Sequence, residues 1–235
     1  MCGRFLLKAT KAELAALFDI PEENLPVIRF GRYNIAPTQQ VLVLRQSTEV
    51  QIQDTHREIV SLRWGLIPSW AKDKSIGSKL INARAETILE KPSFKQAFLK
   101  RRCVVLADGF FEWQMTKNGK QPWYFYLKGE QPFGFAGLYE RWKTPEGELL
   151  ETCVIITTPA NDFVSKVHDR MPVILPDRES WDRWLDAEGK GSAKLHKQLI
   201  SISGEVMDGY RVTTKVNSPR VDSAECISPA DVAAA

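Results

Sequence analysis

Cys103-Val-Val-Leu-Ala-Asp-Gly-Phe-Phe-Glu-Trp113, then Lys117-Asn-Gly-Lys120, then Trp123-Tyr-Phe-Tyr-Leu127 is the stretch that decides the fold. Two runs rich in β-branched and aromatic side chains flank a short polar segment centred on Asn-Gly, which reads as a β-hairpin. Similar apolar or alternating runs recur at 41–45 (VLVLR), 59–64 (IVSLRW), 133–138 (FGFAGL) and 152–157 (TCVIIT), with the turn signal Thr144-Pro-Glu-Gly147 between the last two. Helical patterns are confined to short patches. Thr10-Lys-Ala-Glu13 is a capping box opening a helix through Leu14, Leu17 and Phe18. Further helices are expected over 92–99, 161–167, 177–185 and roughly 193–201. Regular βαβ alternation and a glycine-rich phosphate loop are both missing, which argues against a dinucleotide-binding or P-loop fold. The expected fold class is therefore α+β: a single domain with a largely antiparallel, barrel-like β core flanked by short helices. From about Ser223 the chain, ending in Ala-Ala-Ala, is expected to be a disordered tail.

Bulk properties fit this picture. The chain has 235 residues, 43% hydrophobic and 26% charged, ordinary for a globular protein with ample core. No apolar run reaches the 18 or so residues that span a bilayer, and the N-terminus MCGRFLLKAT lacks the order of regions of a secretory signal. A cytoplasmic location without membrane contact follows as an expectation. The four cysteines (2, 103, 153 and 226) form no CxxC pair and no zinc-ligand spacing, so no metal and no cofactor is expected. Cys103 and Cys153 read as reduced core thiols. Net charge is only +3, too small to single out a partner, but its distribution is uneven. Between Trp70 and Arg102 stand nine Lys or Arg and three acidic residues, a net of +6. That segment is either a phosphate-binding face or a solvated surface with scattered lysines.

Cys2 is the most unusual residue. Methionine excision would leave an α-amine and a thiol on one residue. An α-amine, with a reference pKa of about 7.7–8.0, is substantially neutral near pH 7 and can attack an aldehyde; the neighbouring sulfur can then close a five-membered thiazolidine. Closure is intramolecular, so its entropic cost is low. A cysteine at position 2 can equally be a chance small residue; its neighbours add weight. Gly3 permits close approach, Arg4 is a fixed cation suited to a phosphate, and Phe5 is an apolar anchor.

Other polar residues stand in apolar surroundings. Asn82 and Arg84 are two apart, so in an extended segment they share a face. Glu112, between Phe111 and Trp113, is either an ordinary exposed strand residue or a desolvated carboxyl poised for proton transfer near neutrality. His168, followed by Asp169 and Arg170, is either structural or catalytic. Trp70, beside Lys72 and Lys74, is either core or a platform for an unpaired base. The chain holds no Ser-His-Asp arrangement with a nucleophile elbow.

Taken together, Met-Cys-Gly-Arg-Phe at 1–5, Arg32-Tyr-Asn-Ile-Ala-Pro37, Arg63-Trp-Gly-Leu66, Ile81-Asn-Ala-Arg-Ala-Glu-Thr87, Cys103 to Trp113 and His168-Asp-Arg-Met-Pro172 resemble the SRAP family, the SOS response-associated peptidase domain proteins, whose members shield abasic sites by crosslinking to them. The resemblance runs from Cys2 to roughly Val221, so one domain over residues 1–222 is expected, with 223–235 as the tail. It implies that Cys2 is the nucleophile, with Asn82, Glu112 and His168 at the other active-site positions. It also implies that Arg4, Arg84 and Trp70 hold DNA, that Asn34 and Pro37 line the same cleft, and that Thr157 supplies a polar group nearby. The implied partner is single-stranded DNA containing abasic sites, bound by a monomer. Some members carry a second aromatic where this chain has Ala71, which puts the strength of base wedging in question. Two other readings stay open: an N-terminal-nucleophile peptidase that acts on other chains or on its own Met1, and a non-covalent single-strand binder.

Overall fold

The computed structural model describes residues 2–47, 57–186 and 195–230. Among these, the strands in chain order are β1 (Phe5–Leu7), β2 (Arg32–Ile35), β3 (Gln40–Gln46), β4 (Arg57–Trp64), β5 (Asn82–Arg84), β6 (Arg102–Ala107), β7 (Gly109–Thr116), β8 (Gly119–Leu127), β9 (Phe133–Lys143), β10 (Leu149–Pro159), β11 (Arg170–Pro172), β12 (Ile174–Leu175) and β13 (Met207–Arg211). Three helices accompany them: α1 (Lys11–Phe18), α2 (Pro92–Lys100) and α3 (Arg178–Leu185).

Each long apolar run of the sequence lies in a strand, and their pairings close a ring. β4 pairs β3, β3 pairs β6, β6 pairs β9 and β9 pairs β10, all antiparallel. β10 then returns to β4 in parallel, through Thr152 opposite Arg63 and Cys153 opposite Trp64. A closed five-stranded barrel results, which removes the edges an open sheet would expose. A second sheet runs β13-β8-β7-β1-β2. The expected hairpin through Asn118-Gly119 joins β7 to β8, with Thr116 opposite Gly119 and Phe110 opposite Phe125. The fold is α+β on a largely antiparallel β core, as the patterning predicted.

Phe5 links the two layers. It is fully buried, edge-on to Trp64 and Phe135 with centroids 5.2 and 5.7 Å away. The start of the chain is thereby plugged into the barrel mouth.

Local signals account for the helices. Thr10 and Glu13 form the reciprocal capping box of α1, and Asp177 caps α3 together with Ser180. Pro92 opens α2 at its first turn, where its missing N–H costs nothing. Three expectations differ from what is found. The 161–167 helix is only a 3-10 turn, Val164–Lys166: the Asn161 side chain caps its start by accepting the N–H groups of Phe163 and Val164, but the chain then leaves it to pair Arg170–Pro172 with β10. Of the 193–201 helix, 193–194 lie outside the described residues and only Leu195 and His196 are helical. The tail expected to be disordered from Ser223 instead carries a 3-10 turn, Ala224–Ile227, with Cys226 fully buried and Val212 bridged to Pro229; residues 231–235 lie outside the described residues. All four cysteines are free and buried.

Two glycines let the chain leave β4 for the loop that carries Trp70. Gly65 has φ +125°, and a Cβ there would stand 2.4 Å from the Gly77 carbonyl oxygen. Both the conformation and the space require glycine. Gly65→Ala is expected to cost about 3 kcal/mol or more, the sum of a strained backbone and a backbone clash. Thermal unfolding should show the midpoint falling by roughly 6–12 °C; an unchanged midpoint would refute the crowding.

Candidate active site

Cys2 precedes β1 and is fully buried in the main core. Its Sγ lies 4.0 Å from the Arg4 carbonyl oxygen. Burial, reinforced by the nearby Glu112 carboxyl, raises the thiol pKa well above its ordinary value, so at neutral pH the sulfur is a thiol and not a thiolate.

Glu112 lies on β7 and is 2% exposed. Burial pushes its carboxyl up to about 8, against the pull of the chain's amino-terminal charge. The desolvated alternative is therefore the one realised: at neutral pH the group is largely protonated. His168 follows the 3-10 turn Val164–Lys166, with its Nε2 4.0 Å from Glu112 Oε2. Its Nδ1 accepts the Arg170 backbone N–H at 3.0 Å, so in the neutral ring the proton sits on Nε2 and faces Glu112. Burial lowers the His168 pKa, while Asp169, 3.0 Å from Nδ1, opposes the shift. A protonated carboxyl and a neutral imidazole facing one another form a pair able to pass protons in either direction.

These groups open into a cleft of about 490 Å³ lined by Gly3, Glu112, Trp113, Lys120, His168 and Asn217. A larger cleft of about 560 Å³, lined by Lys8, Thr10, Glu13, Tyr33, Asp108 and Glu130 among others, holds neither cysteine nor histidine.

Asn82 and His168 approach from opposite edges of β10. β5 pairs one edge, Ile155 to Asn82 and Thr157 to Arg84; β11 pairs the other, Thr157 to Pro172. Arg170 ties the two edges together. It grips Glu86 with two nitrogens and donates to the Thr157 carbonyl oxygen at 2.8 Å and to its hydroxyl at 3.2 Å. Asn82 Nδ2 donates to the Ile81 carbonyl at 2.8 Å, leaving a buried Oδ1 with no partner among the described residues. A buried acceptor left open in this way is uncommon and is suited to a ligand hydrogen.

The residues expected to hold DNA fall into two groups. Trp70 is 59% exposed, Arg84 is exposed, and Lys72, Lys74 and Lys79 are exposed around the Trp70 loop. Pro37 is half-buried beside that region's strand β4, where Thr38 N–H bonds the Trp64 carbonyl. Arg4, Asn34 and Thr157 instead face inward. Arg4 Nη1 donates to Asn34 Oδ1 at 2.7 Å and to the Val216 carbonyl at 2.8 Å, with its guanidinium over Trp113. Asn34 is fully buried, and its Nδ2 reaches the carbonyls of Val216, Ser218 and Val221. Thr157 is fully buried under Arg170. The +6 segment is also smaller as a surface than as a sequence. Arg101 pairs with Glu140, and Arg102 is buried on the carbonyls of Trp184, Phe98 and Leu99.

Several contributors carried no sequence signal of their own. Asp222 receives the Tyr33 and Asn34 N–H groups and bonds Arg32, bracing the 32–37 segment. Lys120 reads only as a turn residue, and Asn217, which accepts from Trp113 Nε1 at 2.7 Å, has no pattern around it. Among the described residues no cluster of His, Cys, Asp and Glu could hold a metal ion, and no helix is long and apolar enough to cross a membrane.

Residues 1–219 match the family described as SOS response associated peptidase (SRAP). The chain is 43% identical over 230 residues to the abasic site processing protein YoqW of Bacillus subtilis, covering 97% of this chain and 99% of that one. It is 35% identical over 234 residues to the abasic site processing protein HMCES of Gallus gallus, covering 87% of this chain and 69% of that protein. A crystal structure of a protein from Bacteroides thetaiotaomicron superposes with TM-score 0.83 at 29% identity, covering 97% of this chain and all of that one.

Two predictions follow from the geometry. Asn34→Ala strips buried carbonyls and the Arg4 guanidinium of partners, at about 1–3 kcal/mol for each group left unsatisfied, so chemical denaturation should show a loss of about 3 kcal/mol or more. The second concerns pH. Because the folded-state pKa of Glu112 lies above its unfolded value of 4.5, its contribution to stability is full below 4.5 and is lost as pH rises through about 8. Between those limits the protein should lose stability relative to Glu112→Gln, and parallel profiles for the two would contradict a desolvated carboxyl.

Proposed function

The chain belongs to the SOS response associated peptidase (SRAP) family, and from that premise and the Gly3–Glu112–His168 cleft next to the buried Cys2 we propose that it processes abasic sites in single-stranded DNA by covalent capture through Cys2. The observation that carries this reading is the burial of the Cys2 thiol beside a Glu112 carboxyl pushed up to about 8. Relatives named as abasic site processing proteins support it along almost the whole chain.

The chemistry starts once Met1 has been removed. The abasic sugar is a closed hemiacetal, so the ring must open: the C1 hydroxyl gives up its proton and the ring oxygen gains one. The protonated Glu112 carboxyl gives its proton to the ring oxygen and, as a carboxylate, then takes the C1 hydroxyl proton, so it ends as it began; His168 Nε2–H hydrogen-bonds the ring oxygen as it departs. The free Cys2 amine adds to the aldehyde carbon, and the carbinolamine loses water to give an imine. Cys2 Sγ then adds to the imine carbon as its proton passes to nitrogen, closing the thiazolidine; one water is released overall. A thiol that stays protonated is a poor first nucleophile, so the amine attacks first and the sulfur traps. The open Oδ1 of Asn82 is an acceptor for the amine or a sugar hydroxyl. Arg84 and the exposed lysines of the Trp70 loop grip phosphates, and Trp70 stacks on a base, giving salt-sensitive binding with little sequence preference. Arg4, Asn34 and Thr157 act from behind, by fixing the segments that carry Cys2 and His168.

The same raised thiol pKa disfavours a cysteine peptidase acting through a ready thiolate. Denaturing electrophoresis with a uracil-containing oligonucleotide, treated with uracil glycosylase, separates the readings. A shifted band should survive boiling and vanish with Cys2→Ser, and Glu112→Gln should slow its formation about 100-fold or more. A processed N-terminus with no such band would overturn covalent capture.

A further inference from the structure

The cleft at Gly3, Glu112 and His168 continues onto the outer face of β7 and β8. Paired residues of an antiparallel ladder share a face. Trp113 pairs with Pro122 and Met115 with Lys120, while Glu112 pairs with Trp123. Trp113 and Lys120 therefore stand on one face of the sheet and Glu112 on the other, yet all three line the same cleft. The cleft must wrap the edge of β7: an inner lobe with Glu112 and His168, and an outer lobe with Trp113 and Lys120.

The outer lobe is a prepared surface. Trp113 is fixed at its edge by the Nε1–H bond to Asn217 and backed by the Arg4 guanidinium 6.0 Å from its centroid. The ring is half-buried, not sealed in the core. Lys120 is exposed, and among the described residues its ammonium has no salt-bridge partner. Of the other cations near this part of the molecule, Arg4 is committed to Asn34 and Val216 and Arg170 to Glu86 and Thr157, while Lys166 lies outside the cleft lining with its ammonium over Phe163. Asp169, the nearest exposed carboxylate described at the inner lobe, lies on His168 Nδ1. With Glu112 and His168 uncharged at neutral pH, Lys120 is the one charged side chain among the described residues that line the cleft.

A fixed aromatic plate next to an unspent ammonium matches the two recognisable parts of a nucleotide, a π-face and a phosphate. A volume of about 490 Å³ is within the range of ligand-binding clefts, enough for a sugar in the inner lobe and one neighbouring unit in the outer. We infer that Trp113 and Lys120 form a subsite for the nucleotide next to the abasic sugar, its base stacked on Trp113 and its phosphate held by Lys120. This rests on the proposed function, since the inner lobe is taken to hold the sugar.

The test uses a single-stranded oligonucleotide with one tetrahydrofuran abasic analogue, which has no aldehyde and so cannot crosslink. Fluorescence anisotropy over a series of salt concentrations reads its affinity. Lys120→Ala should lower the slope of log K against log salt by about 0.7, the value for one single-strand phosphate contact, and Lys120→Glu should weaken binding further. Removing the base next to the analogue should cost the wild type about 5-fold or more in affinity and cost Trp113→Leu much less. A wild-type slope and affinity in Lys120→Ala overturns the subsite. So does an equal loss, in wild type and Trp113→Leu, on removing that base. Failure of the Cys2 chemistry is read separately, as no boil-resistant band on a natural abasic site.

Discussion

Glu112 sits with 2% of its surface exposed, where an ionised carboxylate would lose hydration worth several kcal/mol. The protein meets that cost by letting the group keep its proton into the neutral range, and the rest of the site follows from it. A protonated Glu112 places no full negative charge against the Cys2 thiol. It can also both give and take a proton within the pH range in which an α-amine is substantially neutral. The same low-dielectric surroundings keep His168 neutral, with its proton directed to the carboxyl by the Arg170 N–H on its other nitrogen.

Holding a chain terminus in such a place is costly in conformational entropy, and the fold offsets it with fixed contacts on every side. Phe5 packs edge-on between Trp64 and Phe135. The Phe111 N–H bonds the Arg4 carbonyl at 2.9 Å, and the Arg4 side chain is locked to Asn34 and Val216. Asn34 is locked in turn by three carbonyls between 216 and 221, and its own N–H by Asp222. Residues from 2 to 5, 32 to 37 and 216 to 222 thus form one hydrogen-bonded unit whose purpose is to keep the first residues still. On the other wall, the Glu86–Arg170 pair spans β10 and couples the strand of Asn82 and Arg84 to the loop of His168. Arg4, Asn34 and Thr157, polar residues that look like ligand contacts in a linear reading, make their hydrogen bonds inside the protein.

Much of this was legible in the sequence, and for local reasons. Alternating and β-branched runs of five or more residues fall in strands because the side-chain period of a strand is short-range. The α1 capping box and Asn118-Gly119 hairpin depend on residues three apart or adjacent. The family was readable from motifs in order along the chain, those around Cys2, Glu112 and His168 among them. Three-residue strands such as β1, β5 and β11 carry no period long enough to detect; they exist because a neighbouring strand lends them hydrogen bonds. The 161–167 segment stops after one turn because the residues that follow, Arg170–Pro172, are drawn into pairing with β10, a contact made in space and not along the chain.

What the sequence determined by itself, then, is the α+β class, the main strands and the family to which the chain belongs. Closure of the barrel was decided only in three dimensions, since it rests on the parallel pairing of β4 with β10, residues some 90 positions apart. So was the state of Glu112: nothing in its neighbours along the chain distinguishes an exposed carboxylate from one buried beside Cys2. The same holds for the basic residues, of which Arg101 and Arg102 turn inward while Lys72, Lys74 and Arg84 face solvent. Desolvation and hydrogen-bond satisfaction depend on atoms brought together from distant parts of the chain, so they are fixed by packing and not by order.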